Sequence, residues 1–350
     1  MTTQVIEAPF VPVVDHGRRR RRRRGVVVTA VLGALAFALF VLTMMVGTYV
    51  IAPWDVIAST FHLSANPAVD FIVRDLRLPI ATSGLAVGVA LGISGLVFQT
   101  LLANPLASPD FVGVSSGASL FAIASIVLFS SSGIGIPAAA LVGALASGAL
   151  IYMLAWRHGI TGYRFILIGI AVSQFMYSIV AYVIARADIY EARQAMTWLV
   201  GSVGQAGPTE LRVLLVGVVV LVPLALVLDR PLRVLELGDD AAKALGARVE
   251  LTRLALLAIS VILIAFATAV AGPIMFVALI AGPIARRLFG SAPGGLLAAG
   301  FTGAAIVLSA DLVAQHVMPV ALPTGVICGA VGAPYLIWLL ITVNREGRGG

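Results

Sequence analysis

The sequence has few charged residues, one cysteine and few histidines, and each shortage excludes a class of protein. Only 11% of the 350 residues are charged, whereas 60% are hydrophobic, and the mean hydropathy is +1.05. Such a chain has too little polar surface to cover a soluble domain. The single cysteine, Cys328, excludes an internal disulfide, and the four histidines show no metal-ligand spacing. We therefore expect no metal site.

Motifs of enzymes and nucleotide-binding proteins are also missing. Alanine follows the only lysine, Lys243, so the chain has no G-x-x-x-x-G-K-[ST] phosphate loop. Neither H-E-x-x-H nor G-x-S-x-G occurs. Asp311 is nearly alone as an ionisable residue within the apolar runs, and it is either a proton relay or, as we favour, structurally paired or snorkelling. We expect neither catalysis nor a cofactor in this chain.

Long apolar runs are abundant. The first, 26–51, has no charge and is longer than the apolar core of a cleaved signal, which is about 7–15 residues. Since a bilayer-spanning helix takes about 20 apolar residues, the sequence predicts an all-α polytopic membrane protein, a compact bundle of about ten transmembrane helices. The predicted spans are 26–51, 79–102, 112–130, 136–155, 164–185, 210–228, 254–271, 274–288, 295–314 and 322–342.

Two features within these spans bear on packing. The short pair around 271–273 is broken by glycine and proline, and an eight-span chain without 254–288 stays open as an alternative. Gly84, Gly88 and Gly92 recur at four-residue spacing in the second span. Small residues on one face predict close helix packing.

Basic residues favour one side of this layout. Seven arginines at 18–24 precede the first span, where positive charge holds a terminus in the cytoplasm; a nucleic-acid tail is the less favoured interpretation. With that run inside, 18 of the 23 basic residues lie on the cytoplasmic side and 5 outside. We predict a cytoplasmic segment 1–25, a transmembrane domain 26–342 and a cytoplasmic tail 343–350.

One polar island, "ELGDDAAKALGARVELTR" (236–253), interrupts this apolar chain. Asp239 is expected to cap a short helix after Gly238, with Asp240 in its first turn and Gly246 as a left-handed C-terminal cap. An apolar stripe opposite the charged face comprises Leu237, Ala241 and Leu245. The island is either a charged connector or, because so short a helix is unstable alone, a docking surface, which we favour.

Four blocks occur in a fixed order: 77–120, containing "NPLASPDFVGVSSGA"; 237–246, "LGDDAAKALG"; 272–286, "GPIMFVALIAGPIAR"; and 322–340, "LPTGVICGAVGAPYLIWLL". Together they resemble the FecCD-type permeases of ATP-binding-cassette (ABC) importers, which carry ferric siderophores, haem or vitamin B12. The resemblance implies a ten-helix permease in the bacterial inner membrane, surrounded by lipid, with both termini cytoplasmic.

The resemblance also implies partners. A second permease, identical or related, completes a central path, and two cytoplasmic ATPase subunits hold ATP and Mg. A substrate-binding lipoprotein docks outside, and no nucleic acid is expected. The polar island becomes the ATPase-coupling segment within the cytoplasmic loop 229–253, with the residues Gly238, Asp239, Asp240, Ala241, Lys243, Leu245, Gly246 and Arg248.

Two further sites follow from the resemblance. Asn104, Leu106, Thr161 and Gly162 correspond to the cytoplasmic gate of the path. Arg74 and Arg77 correspond to arginines that meet carboxylates of the binding protein. The chain departs from the family pattern at Ile80, where the family often has arginine, and at Pro283, where it often has histidine.

Ferric siderophores are the expected cargo because they are the commonest in that family. Vitamin B12 or haem is the alternative within it. From other classes, a proton-coupled secondary transporter or a membrane scaffold stays open. The near-absence of intramembrane carboxylates disfavours the transporter, and the four coincident blocks disfavour the scaffold.

Overall fold

A computed structural model describes residues 11–63, 66–110, 113–156, 162–290 and 295–346, and within these ranges it contains helices and no strand. A π-helical turn, Phe71–Arg77, precedes α4, and a 3₁₀ turn, Val203–Gln205, precedes α9. The helices are α1 Val11–Met45, α2 Pro53–Thr60, α3 Pro67–Asp70, α4 Leu78–Leu101, α5 Val114–Phe129, α6 Gly135–Ala155, α7 Gly162–Arg186, α8 Ile189–Val200, α9 Pro208–Val227, α10 Asp229–Leu235, α11 Asp239–Ala244, α12 Val249–Ala271, α13 Val277–Phe289, α14 Leu296–His316 and α15 Thr324–Glu346.

Every predicted span overlaps one of these helices, and the all-helical, multi-pass architecture is confirmed. In the described ranges, seven helical stretches are long and apolar enough to cross a bilayer: Arg19–Met45, Pro67–Leu101, Gly135–Ala155, Gly162–Arg186, Pro208–Val227, Val249–Ala271 and Leu296–His316. The apolar stretches Val114–Phe129 and Thr324–Leu339 are shorter, and α13 has 13 residues. The count of ten spans therefore stays a prediction.

Several boundaries differ from those predicted. α1 extends through the arginine run and ends at Met45, so the predicted end of the first span at residue 51 was wrong. Residues 46–52 are irregular and lead to Pro53, which opens α2. α15 continues to Glu346, into the predicted tail. The connection after α7 contains a helix, α8, that the sequence analysis missed because its polar residues obscured its buried side, which includes Ala195 and Trp198.

The centre of the bundle is the pair α4 and α14. Gly88 and Gly92 lie directly against the α14 backbone at Ala304 and Ala299, and a Cβ atom at either glycine would collide with it. Gly84 faces the same helix. Close approach of two backbones gives tight packing without a hydrophobic driving force in lipid. The predicted role of this glycine face is confirmed.

The break predicted between the two short spans is also confirmed. α12 ends at Ala271, residues 272–276 are non-helical, and α13 begins at Val277. Residues 271–274 are buried, and the Ala271 carbonyl accepts a 2.7 Å hydrogen bond from the Ser202 amide. Irregular backbone at membrane depth requires such protein partners. The segment after α8 provides one here.

Two ends of the bundle can be distinguished by their contacts. At one end, Arg24 in α1 donates a 3.1 Å hydrogen bond to the carbonyl of Leu288, next to the last residue of α13. At the same end, Arg286 contacts Thr100 at the end of α4. We call this the basic end, because it carries the arginine run and the loop that contains α10 and α11.

Candidate functional site

The loop between α9 and α12 is folded back onto the basic end. Leu235, Ala242 and Val249 are buried together, with Leu101 of α4 packed against them. This small cluster supplies the tertiary packing that a helix of six residues needs in order to persist. The loop therefore has a defined shape that is attached to the central helix.

The caps of α11 differ in part from the prediction. Gly238, with φ of 94°, is the N-cap residue, and Asp239 is the first helical residue, so the expected cap by Asp239 was wrong. The Asp239 carboxylate instead accepts a hydrogen bond from Arg253. Asp240 does lie in the first turn, where the helix dipole favours its charge.

The predicted left-handed cap at Gly246 is confirmed. Its φ is 80°. The Ala247 amide donates to the Ala242 carbonyl at 3.0 Å, and the Gly246 amide donates to the Lys243 carbonyl at 2.9 Å. These two bonds form a Schellman motif, which stops α11 and turns the chain into α12.

Ion pairs connect the loop to two long helices. Arg253 of α12 lies 2.7 Å from Asp239 and 3.6 Å from Glu250. Arg286 of α13 lies 3.1 Å from Glu236, the C-cap residue of α10. Displacement of α11 would therefore act on α12, and displacement of the end of α10 would act on α13, through short, charged contacts.

The apolar stripe predicted along α11 points away from the bundle. Leu237 is 63% exposed and Leu245 is 67% exposed, and Ala241 between them is exposed too. The buried contact is made by Ala242 instead. Lys243 is exposed beside the stripe. An apolar stripe in a charged border is the composition of a protein-docking surface.

Other coupling candidates border this stripe. Asp240, Gly246 and Arg248 are all exposed. We call the exposed face formed by Leu237, Ala241 and Leu245 the coupling surface.

The gate candidates that the structure describes lie near one another at the basic end. The Asn104 Oδ1 atom accepts a 2.9 Å hydrogen bond from the Leu106 amide, which fixes a tight turn after α4. Gly162 begins α7 and lies against the Leu102 backbone, close enough that a Cβ there would be 2.8 Å from the Leu102 carbonyl oxygen. Thr161 lies outside the described residues.

A half-buried carboxylate next to this turn, Asp110, was not predicted from the sequence. Asp110 Oδ1 accepts a 2.8 Å hydrogen bond from Ser115, and Oδ2 accepts one of 3.4 Å from Ser108. Burial raises the pKa of Asp110 to about 6, although both hydroxyl groups oppose the rise. The signal was present as an aspartate just before the "GVSSGA" helix start. Asp110 therefore fastens the turn to the beginning of α5.

The two arginines that were predicted to dock the binding protein lie at the opposite end and have different surroundings. Arg77 donates 2.9 Å hydrogen bonds to the carbonyls of Met44 and Met45, the last residues of α1. These are carbonyls that a helix end leaves without intrahelical partners, so Arg77 ties α1 to the start of α4. Arg74, one turn earlier, is half-buried.

Asp311 is paired, in agreement with the favoured prediction. It is 2% exposed and accepts a 2.8 Å hydrogen bond from Thr324 at the start of α15. The Thr324 hydroxyl is in turn 3.4 Å from Ser202. Asp311 therefore joins α14, α15 and the segment after α8. No group of three potential metal ligands occurs within the described ranges.

Comparison with known proteins places these features in a family. The FecCD transport family matches residues 27–342. The ferric enterobactin transport system permease protein FepG of Escherichia coli (strain K12) is 40% identical over 283 residues, which cover 81% of this chain and 86% of the relative. The achromobactin transport system permease protein CbrC of Dickeya dadantii (strain 3937) is 36% identical over 312 residues, covering 88% of this chain and 89% of the relative.

A solved structure gives the same result for the fold. It is described as an inward-facing conformation of a metal-chelate type ABC transporter. It matches with a TM-score of 0.80 and 25% identity, and the match covers 90% of this chain and 99% of that one. The helical bundle and the family blocks thus coincide over nearly the whole described chain. The chain belongs to the FecCD transport family.

Proposed function

We propose that this chain is the permease subunit of an ATP-driven ABC importer of ferric siderophores. The observation that carries the proposal is the coupling surface, an exposed apolar stripe on a loop that is otherwise firmly attached to the bundle. A transporter without a phosphate loop needs a contact through which another subunit supplies the energy. Two of the relatives above are permeases whose names specify ferric enterobactin and achromobactin.

The coupling surface is where an ATPase subunit docks. Leu237 and Leu245 enter an apolar cleft of that subunit, and the charged residues around them set its register. Closure of two ATPase subunits on ATP and Mg then moves α11. The Asp239–Arg253 pair transmits this motion to α12, and the Glu236–Arg286 pair transmits it to α13.

The turn at Asn104 and Leu106, together with Thr161 and Gly162, closes the path at the basic end. Its position beside the start of α7 supports this role, because a shift of α7 changes the opening directly. A second permease, identical or related, provides the facing half of the path. Asp110 positions the turn through its hydrogen bonds with Ser108 and Ser115.

The remaining partners belong to the two sides of the membrane. The basic end faces the cytoplasm, so both termini are cytoplasmic, and the protein resides in the bacterial inner membrane. The substrate-binding lipoprotein docks at the opposite end, with Arg74 as the arginine available for a carboxylate. Arg77 supports that surface through α1.

Haem and vitamin B12 are the other cargoes within this proposal. A proton-coupled secondary transporter would depend on Asp311, which is committed to Thr324. Cargo uptake in cells separates these possibilities. The chain is expressed, together with an ATPase subunit and a binding protein, in a strain that lacks its own siderophore permeases.

Uptake of ⁵⁵Fe-siderophore is then measured with vanadate, which blocks ABC ATPases, or with a protonophore. We expect that vanadate abolishes siderophore uptake and that unlabelled haem does not reduce it. Uptake that persists in vanadate would contradict ATP-driven import. If haem competes, the proposed cargo changes from a ferric siderophore to haem, but the protein is still an ABC importer subunit.

A further inference from the structure

A groove at the basic end is not used by the proposed transport mechanism. It has a volume of about 740 Å³ and lies between α1, the end of α9 with α10, and the beginning of α14. Its basic lining consists of Arg22, Arg230 and Arg233. Its apolar lining includes Val26, Ala30, Leu226 and Phe301. The groove thus combines a cationic rim with an apolar wall.

The charge at the rim is not neutralised by the protein. Arg233 lies 3.3 Å from Asp229, which is the acidic residue of the lining. Among the described residues, Arg22 and Arg230 make no ion pair with a carboxylate. Two guanidinium groups therefore remain for an anion at the membrane surface.

The α1 wall of the groove follows one helix face. Arg22, Val26, Thr29, Ala30 and Gly33 recur at helical spacing, so the arginine lies above an apolar strip. From Arg22 to Gly33 the strip rises about 16 Å at ~1.5 Å per residue. This length is close to half of the ~30 Å hydrocarbon core, the depth of a single leaflet.

The position of α1 is held by one contact outside the groove and by one within its lining. Arg24 donates to the Leu288 carbonyl at the end of α13, and the Phe301 ring lies against Gly33. Because α1 is fixed at both points, the groove has a defined shape without a ligand. A ligand there contacts α1 on one side and α10 on the other.

We propose that this groove binds one anionic phospholipid of the cytoplasmic leaflet. Arg22 and Arg230 hold the phosphate, and an acyl chain lies along Val26, Ala30 and Phe301. Basic pockets between transmembrane helices bind anionic headgroups in this way. The lipid joins α1 to α10, the first helix of the loop 229–253 that carries the coupling surface, and so stabilises the position of that loop.

The test measures lipid affinity of the full-length chain by native mass spectrometry in detergent. The probes are dioleoyl phosphatidylglycerol and dioleoyl phosphatidylcholine. The variant is Arg22→Gln with Arg230→Gln. Its matched control, Arg20→Gln with Arg248→Gln, removes the same charge from α1 and from the loop 229–253 but outside the groove.

Each arginine near an anionic headgroup contributes about a fivefold gain in affinity, so phosphatidylglycerol binding should weaken about 25-fold in the variant. The control should match the wild type, and phosphatidylcholine should bind more weakly to all three. Equal phosphatidylglycerol affinity in variant and control, or equal affinity of the two lipids for the wild type, would overturn the proposal.

Two further variants keep the test decisive if the double variant does not fold. Arg230→Gln alone should weaken binding about fivefold. Ala30→Trp fills the apolar strip without a change of charge, and it should also reduce phosphatidylglycerol binding. Unchanged binding in both of these variants would contradict the proposed site.

Discussion

Arg253 of α12 donates a 2.7 Å hydrogen bond to Asp239, the first residue of α11. The arginine side chain is 11% exposed, whereas the aspartate side chain is 44% exposed at the edge of the coupling surface. The pair thus connects a surface that faces solvent with a long helix of the bundle. In the proposed mechanism, this is the contact through which an ATPase subunit moves α12.

The first prediction concerns that pair. Arg253→Gln should cost only about 1 kcal/mol of folding free energy, because a partly exposed ion pair contributes little to stability. Uptake per ATP hydrolysed should nevertheless fall about fivefold. Arg253→Lys keeps the charge and should restore part of the lost uptake per ATP. Uptake and ATP hydrolysis measured on the same proteoliposomes check this, and an unchanged ratio would contradict the transmission role.

The second prediction concerns the coupling surface. Leu237→Asp with Leu245→Asp should abolish co-purification of the ATPase subunit, since burial of each leucine at an interface contributes about 1.5–3 kcal/mol. Because both leucines are exposed, the variant should fold normally. Leu63→Asp is the matched control, as Leu63 is 77% exposed and lies outside the loop. Retention of the ATPase by the double variant would place its docking site elsewhere.

The third prediction concerns the centre of the bundle. Gly88→Leu inserts a side chain where the α14 backbone lies, and overpacking of this kind costs about 1–3 kcal/mol or more. The yield of monodisperse protein and its thermal midpoint should both drop. Gly329→Leu, in α15, is the control because a Cβ at Gly329 meets no atom within 4 Å. Equal losses in both variants would mean that close packing at Gly88 is not limiting.

The fourth prediction is a pH dependence. The pKa of Asp110, raised by burial to about 6, exceeds its unfolded value of about 4, so the native state binds the proton more tightly. Its contribution to stability is therefore greatest below pH 4 and is lost as the pH rises through 6. The loss is at most about 3 kcal/mol, from ~1.4 kcal/mol per pKa unit.

A comparison of the wild type with Asp110→Asn separates the titration of Asp110 from that of the other groups. Thermal midpoints of the two proteins in detergent should diverge between pH 4 and 6, with the asparagine variant gaining relative to the wild type as the pH rises. Above pH 7 the difference should be constant. Parallel midpoints across the whole range would show that Asp110 does not titrate near 6.

Much of the architecture could be predicted because membrane helices leave strong local signals. The length of each apolar run predicted a span, and the structure has a helix at every one of them. The spacing of Gly84, Gly88 and Gly92 predicted close helix packing, which the structure shows between α4 and α14. The Gly246 cap could also be predicted, since a left-handed helix end favours glycine. These are properties of neighbouring residues along the chain.

What the sequence did not reveal depends on contacts between distant segments. Asp239 looks like an N-cap in isolation, but Arg253 attracts its carboxylate and Gly238 takes the cap position. Arg77 looks exposed at a helix start, although it binds carbonyls of α1 more than thirty positions earlier. The direction of the Leu237–Leu245 stripe likewise depends on where Ala242 packs.

The most direct test of ATP-driven import is uptake by purified protein in proteoliposomes loaded with ATP. The permease is reconstituted with or without its ATPase chain, and a ferric siderophore is delivered on its binding protein. We expect uptake only with the ATPase chain and ATP, and none by the Leu237→Asp, Leu245→Asp variant. Siderophore uptake by this chain alone, driven by a proton gradient and lost in Asp311→Asn, would contradict ATP-driven import.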